Sequence, residues 1–221
     1  MPLTALRELL VREARRLEPL GLTTGTSGNL SVRVDLGGDG GMLITPSGIA
    51  YDQLQPEDIV PVVFTGAGTA TWEHALEPSS EWLMHQAVYQ ARPEAGAVVH
   101  GHPTYATVLA IQGREIPALH YMIAAAGGPT IRCAPYFTYG TPELSIAAVE
   151  ALDGRKACLL GHHGLLAFER DLPRAMWLAR EVETLAQQTL MCLQLGGPKL
   201  LPPSEIDVVV EKFSRYGLKQ R

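Results

Sequence analysis

The chain is 221 residues long, 46% hydrophobic and 19% charged, with a formal net charge of −5. A chain of that size and composition buries a sizeable core, which excludes a disordered chain. No apolar run reaches the roughly 18 residues of a membrane span, and the acidic balance argues against a nucleic-acid partner.

The N-terminal segment is charged early and places Leu3, Leu6, Leu10, Ala14 and Leu17 at helical spacing. It predicts an amphipathic helix over 3–18, ended by Gly21, rather than a leader peptide. Residues 23–29 form a small polar loop. Residues 30–34 alternate, Met42-Leu43-Ile44-Thr45 reads as a second strand, and Gly37–Gly41 lies between them, so a hairpin is expected over 30–45. A further strand is expected at 59–64. Pro78-Ser79-Ser80-Glu81 opens a helix running to about residue 91, with Pro93 just past its end. A buried strand over 95–100, a short helix over 105–111 and a strand over 131–135 follow. Thr141 opens a helix over 142–152, which Asp153-Gly154 closes. Strands at 157–160 and 165–168 flank the turn Gly161-His162-His163-Gly164. The longest helix spans 173–195 and the last spans 206–216. No linker or repeat interrupts the pattern, so residues 1–221 read as one mixed α/β domain. The hairpins imply antiparallel strands in its sheet. Cys133, Cys158 and Cys192 are odd in number and widely spaced, which suits free thiols in a reducing cytoplasm.

The run Val98-Val99-His100-Gly101-His102 carries the sharpest chemistry. Residues i and i+2 of a strand share a face, so both imidazoles project together. Neutral imidazoles suit a divalent transition metal, and a catalytic zinc takes three protein ligands. His162-His163, in its glycine-flanked turn, is the obvious source of the third. His74, His85 and His120 stand alone and read as structural or surface residues. Gly25-Thr26-Ser27-Gly28-Asn29, Thr45-Pro46-Ser47-Gly48 and Ser79-Ser80 are small turns rich in hydroxyls and glycine. Together they suggest a phosphate cradle of neutral donors. Asn29 is the only asparagine in the chain. Glu81 has two readings: an acid complementing the dipole of the helix it opens, or a general base beside a bound phosphate ester.

The runs Gly25–Asn29, Leu43–Gly48, Pro78–Glu81, Val99–His102 and His162–Leu165 resemble the class II aldolase family. His120–Gly128 and Glu211–Leu218 extend the resemblance over nearly the whole chain, nearest to members acting on L-fuculose-1-phosphate. It implies a central, largely antiparallel sheet with helices on both faces. It implies a homotetramer with active sites between subunits, and one zinc ion per subunit. His100, His102 and His163 match the zinc ligands; His162 does not. Thr26, Gly28, Asn29, Ser47, Gly48, Ser79 and Ser80 match the residues that hold the phosphate. Glu81 matches the catalytic carboxylate. Tyr121 matches a proton donor reaching in from the neighbouring subunit. Tyr139 falls near the aldehyde side, and Tyr216 lies in the C-terminal segment that approaches the site. The reaction so implied is reversible, zinc-dependent cleavage of L-fuculose-1-phosphate into dihydroxyacetone phosphate and L-lactaldehyde through an enediolate. None of the four lysines is given a role, consistent with metal rather than imine chemistry.

The sequence departs from the family pattern at four places. Gly101 replaces a bulkier polar residue, Pro103-Thr104-Tyr105 differs, Ser47 replaces Thr, and Tyr139 replaces Phe. These leave the metal and phosphate residues matched and the aldehyde preference open. Three alternatives share the fold. They are an L-ribulose-5-phosphate 4-epimerase, which carries Asp where Glu81 stands, a methylthioribulose-1-phosphate dehydratase, and an adducin-like binding domain that lacks the metal site.

Overall fold

The structure, a computed structural model, describes residues 1–215. Eight strands form one sheet: β1 (Asn29–Val34), β2 (Gly41–Ile44), β3 (Val60–Gly66), β4 (Thr69–Thr71), β5 (Ala97–Gly101), β6 (Cys133–Ala134), β7 (Ala157–Leu160) and β8 (Gly164–Glu169). Their order is β4-β3-β2-β1-β5-β8-β7-β6. Every pairing is antiparallel except β6 with β7. The helices are α1 (Leu3–Ala14), α2 (Trp82–Ala91), α3 (Thr104–Ile111), α4 (Pro142–Ala151), α5 (Leu172–Gln194) and α6 (Pro203–Arg215).

Both sheet faces are buried, which gives three layers. Leu30, Val32, Val99 and Leu165 point to one side, where Leu10 of α1, Leu109 of α3, Leu178 of α5 and Ile206 of α6 cover them. Met42, Ile44, Val98 and Leu166 point to the other, against Met84 and Val88 of α2 and Leu144 of α4. Successive side chains of a strand alternate between faces. The apolar residues of both parities therefore fix the register, and with it the side on which each polar residue falls.

Several boundaries differ from the sequence expectations. α1 ends at Ala14, because its bonds tighten to i→i−3 at Arg16 and Leu17 ahead of Pro19. α2 begins at Trp82 and not at Ser79: the Trp82 amide closes a tight i→i−3 turn on the Ser79 carbonyl at 2.9 Å, and the helix starts after it. The strand expected over 131–135 shrinks to Cys133–Ala134, with Ile131 bridging to Ile116 instead. The short edge strand β4 and a 3-10 turn at Tyr121–Ala126 were not foreseen. Among the described residues no helix is long and apolar enough to cross a membrane.

Gly101 closes β5 where the chain runs tightly past the Leu22 carbonyl. A Cβ there would stand 2.4 Å from that oxygen, a backbone atom that cannot swing aside. This accounts for glycine between the two histidines. Gly101→Ala is expected to lower stability by about 1–3 kcal/mol through overpacking, read as a fall in the urea midpoint.

Candidate active site and metal centre

β5 and β8 pair antiparallel with His100 opposite Leu166 and Gly101 opposite Leu165. The β7–β8 turn therefore returns the chain beside the end of β5. Within that turn His162 adopts a left-handed backbone, φ +53°. It is exposed and meets the Tyr136 ring edge-on at 6.0 Å. His163 instead joins His100 and His102, and the three ring centroids lie 4.7 to 4.9 Å apart. The choice between His162 and His163 thus falls to His163. His102 lies just past the end of β5, yet its Nε2 is 2.9 Å from that of His100. His100 Nδ1 lies 2.8 Å from the Leu165 carbonyl, to which it donates. The tautomer this selects leaves the Nε2 lone pair facing its neighbours.

Glu81 sits at the N-cap of α2 and does not cap the helix with its side chain. The dipole-complementing reading therefore gives way: the carboxylate turns inward and is 6% exposed. Its Oε2 is 3.1 Å from His100 Nε2 and accepts from Asn29 Nδ2 at 2.9 Å. Its Oε1 is 3.2 Å from His163 Nε2 but has no hydrogen bond.

All seven residues expected for the phosphate line one pocket of about 350 Å³: Thr26, Gly28, Asn29, Ser47, Gly48, Ser79 and Ser80. Glu81, His102, His163, Tyr139, Ser27 and Pro46 complete its wall, and no lysine or arginine does. The loops are stapled together. Ser47 Oγ donates to the Pro78 carbonyl at 2.9 Å and accepts from the Ser80 amide at 3.1 Å. Gly28 has φ +93°, and a Cβ there would stand 2.9 Å from the His100 carbonyl. Tyr51, which the sequence reading missed, donates to the Gly28 carbonyl at 2.6 Å and braces this loop. Tyr121 lies elsewhere, half exposed on its 3-10 turn and stacked against His120. Tyr216 lies outside the described residues.

Residues 8–190 match the family model described as Class II Aldolase and Adducin N-terminal domain. The chain belongs to the class II aldolase family. It is 51% identical over 213 residues to the 5-methylthioribulose-1-phosphate/5-deoxyribulose-1-phosphate aldolase of Rhodospirillum rubrum, covering 96% of this chain and 93% of that one. It is 52% identical over 201 residues to the L-fuculose phosphate aldolase of Escherichia coli K12, covering 90% of each. A solved L-fuculose 1-phosphate aldolase superposes with a TM-score of 0.87 at 42% identity, covering 94% of this chain and 95% of that one. The expected family, fold and enzyme class therefore stand.

Class II aldolases are metal-dependent, and this aldolase has the donors for an ion. One ligand atom each from Glu81, His100, His102 and His163 lie within 4.8 Å of one another. Lone pairs converge at this point, and a buried carboxylate oxygen there lacks a partner. That arrangement is unfavourable without a cation. Burial, followed by repulsion from neighbouring imidazoles, pushes His102 down to about 3. The same causes push His163 down to about 4. Both rings are therefore neutral, the ligating form. Burial also opposes charge on His100, but the adjoining Glu81 carboxylate outweighs it and raises its pKa. Burial likewise works against ionised Glu81, yet His100, His163 and the Asn29 amide hold it well below the usual carboxylate range.

Two outcomes are expected. His163→Ala abolishes stoichiometric binding of a divalent ion and His162→Ala retains it, as measured by metal analysis after dialysis. Metal-free aldolase should also lose stability on acidification. Unfolded His102 and His163 take up protons near 6.5, but the folded chain does so only near 3 to 4. Their contribution is complete above 6.5 and falls away below it. The urea midpoint should drop between about pH 7 and pH 4, steeper than carboxylate titration alone would give.

Proposed function

We propose that this aldolase cleaves L-fuculose-1-phosphate reversibly to dihydroxyacetone phosphate and L-lactaldehyde. The observation that carries the reading is the position of Glu81, buried between a phosphate-sized cradle and three histidines. His100, His102 and His163 would hold the ion, with zinc the expected metal. When bound, the ion supplies a Lewis acid for negative charge developing on the ketone oxygen.

The chain's own residues do the rest. Thr26, Gly28, Asn29, Ser47, Gly48, Ser79 and Ser80 grip the phosphate through neutral donors. That binding energy, remote from the reacting bond, positions the three-carbon unit. In the condensation direction, Glu81 takes the proton from the hydroxymethylene carbon. Its Oε1, free of hydrogen bonds, is the oxygen placed to receive it. The carbon so exposed attacks the aldehyde, and Tyr121 of a neighbouring subunit protonates the aldehyde oxygen. Cleavage runs the same transfers backward. This assigns Tyr121 a task that fits its exposure on a single chain, and it rests on a homotetramer with shared sites. Tyr139, on the pocket wall, faces the aldehyde. The C-terminal segment bearing Tyr216 is proposed to close over the same side.

A second reading concerns only the aldehyde. The Rhodospirillum rubrum relative is named for 5-methylthioribulose-1-phosphate and 5-deoxyribulose-1-phosphate at nearly the same identity. Those ketose 1-phosphates yield the same dihydroxyacetone phosphate with a two-carbon or methylthio aldehyde. Glu81, in place of the epimerase Asp, and the intact histidines speak against the epimerase and adducin-like alternatives. The dehydratase is less well matched by the C-terminal segment, and its product is assayed on the third substrate below.

The test is release of dihydroxyacetone phosphate from L-fuculose-1-phosphate, 5-deoxyribulose-1-phosphate and 5-methylthioribulose-1-phosphate, with zinc and after chelation. The highest kcat/KM is expected for L-fuculose-1-phosphate, with activity lost on chelation. A higher value for either pentulose ester would reassign the substrate, and water loss without carbon–carbon cleavage would favour the dehydratase. Glu81→Gln should lower kcat roughly 10²–10⁴-fold. Co-expressed Glu81→Gln and Tyr121→Phe chains should regain activity that neither has alone.

A further inference from the structure

α2 carries Glu81 at its start and His85 one turn later. The His85 ring is fully buried, and both of its nitrogens are engaged. Nε2 lies 2.5 Å from Asn29 Oδ1, and Nδ1 lies 2.7 Å from Ser31 Oγ. Ser31 Oγ lies 2.7 Å from the Tyr89 hydroxyl. At the other end, Asn29 Nδ2 meets Glu81 Oε2. Every member of this chain, from Tyr89 to Glu81, is buried.

Counting donors and acceptors fixes its direction. An ionised carboxylate only accepts. Asn29 therefore turns its N–H to Glu81 and its carbonyl to His85, so His85 Nε2 donates. A neutral imidazole then accepts at Nδ1. Ser31 donates there and itself accepts from Tyr89. A reversed amide would set its carbonyl against the Glu81 carboxylate, two acceptors with no proton between them. Burial, aided by nearby His100, holds the pKa of His85 down to about 3, so the ring stays neutral.

We propose that His85 is a positioning residue for the proton transfer: by fixing the Asn29 amide, it holds Glu81 by Oε2 and leaves Oε1 to the substrate. The proposal rests on the reading of Glu81 as the base. A purely structural His85 would matter to folding alone. A positioning His85 matters to the step that Glu81 performs, and it acts through Asn29.

The test uses zinc-loaded protein and dihydroxyacetone phosphate alone, following exchange of its hydroxymethylene proton with deuterated solvent. No exchange by the wild type would overturn the base assignment and this proposal with it. Given exchange, His85→Leu should slow it, and kcat for cleavage, roughly 10–100-fold. Zinc stoichiometry should change little, and the fall in kcat should exceed any rise in KM, because Asn29 also lines the phosphate cradle. His85→Gln, whose amide N–H reaches the Nε2 position, should recover part of the loss. Added to Asn29→Ala, His85→Leu should cost little more, because the route is already broken. Wild-type exchange in folded His85→Leu, or an effect that adds in full to Asn29→Ala, overturns the positioning role alone. Should His85→Leu not fold, His85→Gln and Ser31→Ala carry the test, with a loss of exchange larger than any rise in KM as the supporting result and wild-type exchange as the contrary one.

Discussion

β1 and β5 pair antiparallel with Asn29 opposite His100 and Ser31 opposite Val98, and the site is built on that register. Strand alternation sends Asn29, Ser31 and His100 to the face covered by α2, where Glu81 and His85 wait. The same alternation sends Leu30, Val32 and Val99 into the opposite core. A slip by one residue would bury Asn29 and Ser31 among leucines and turn Leu30 toward Glu81. The apolar side chains of β1 and β5 therefore enforce the placement of polar ones that they never touch. β8 repeats the arrangement, with its pairing to β5 delivering His163 to the other two imidazoles.

The electrostatics follow from burial rather than from an abundance of charge. The wall of the pocket holds no cationic side chain, although the expected ligand is a phosphate ester. Hydroxyls and backbone amides of the glycine-rich turns line it instead, and on the proposed reading they would take that task. With His102 and His163 kept neutral and Glu81 ionised, the positive charge of the proposed site would come from a bound ion. A protein of net charge −5 can in this way accept an anion without a basic surface. It also holds the buried Glu81 carboxylate beside His100 and His163.

The fold was legible where patterns were long. The 30–45 hairpin, α5 and the single-domain reading follow from periodicity and turn residues. The sheet order does not, because β5 inserts between β1 and β8 through pairings that no local signal announces. Among site residues, the His100–His102 pair was legible from strand spacing, and the hydroxyl-rich turns from composition. The decision between His162 and His163 depends on a left-handed residue inside the turn, which spacing alone could not supply. Glu81 was readable as a helix-opening acid, but its inward turn depends on where α2 starts. The segment before that start is anchored by the Thr45 carbonyl, which accepts from the Ser79 amide beside the Pro46–Pro78 bridge. His85 read as an isolated histidine. Its partners Asn29 and Ser31 lie more than fifty residues away, and the available signal was its one-turn offset from Glu81.

The single asparagine also bears on how this protein ages. Asparagine is a thermally fragile side chain. Its usual route of decay begins when the next backbone nitrogen attacks the side-chain amide carbon, which requires a mobile backbone. Asn29 is held in β1, and both ends of its amide are bonded. The attacking nitrogen, that of Leu30, is tied to Thr45 Oγ1 at 3.2 Å. Conversion to aspartate would set a second carboxylate against Glu81, in place of the amide that now donates to it. The strand that places Asn29 for chemistry thus also shields it from spontaneous damage, and the remainder of the chain contains no other asparagine to decay.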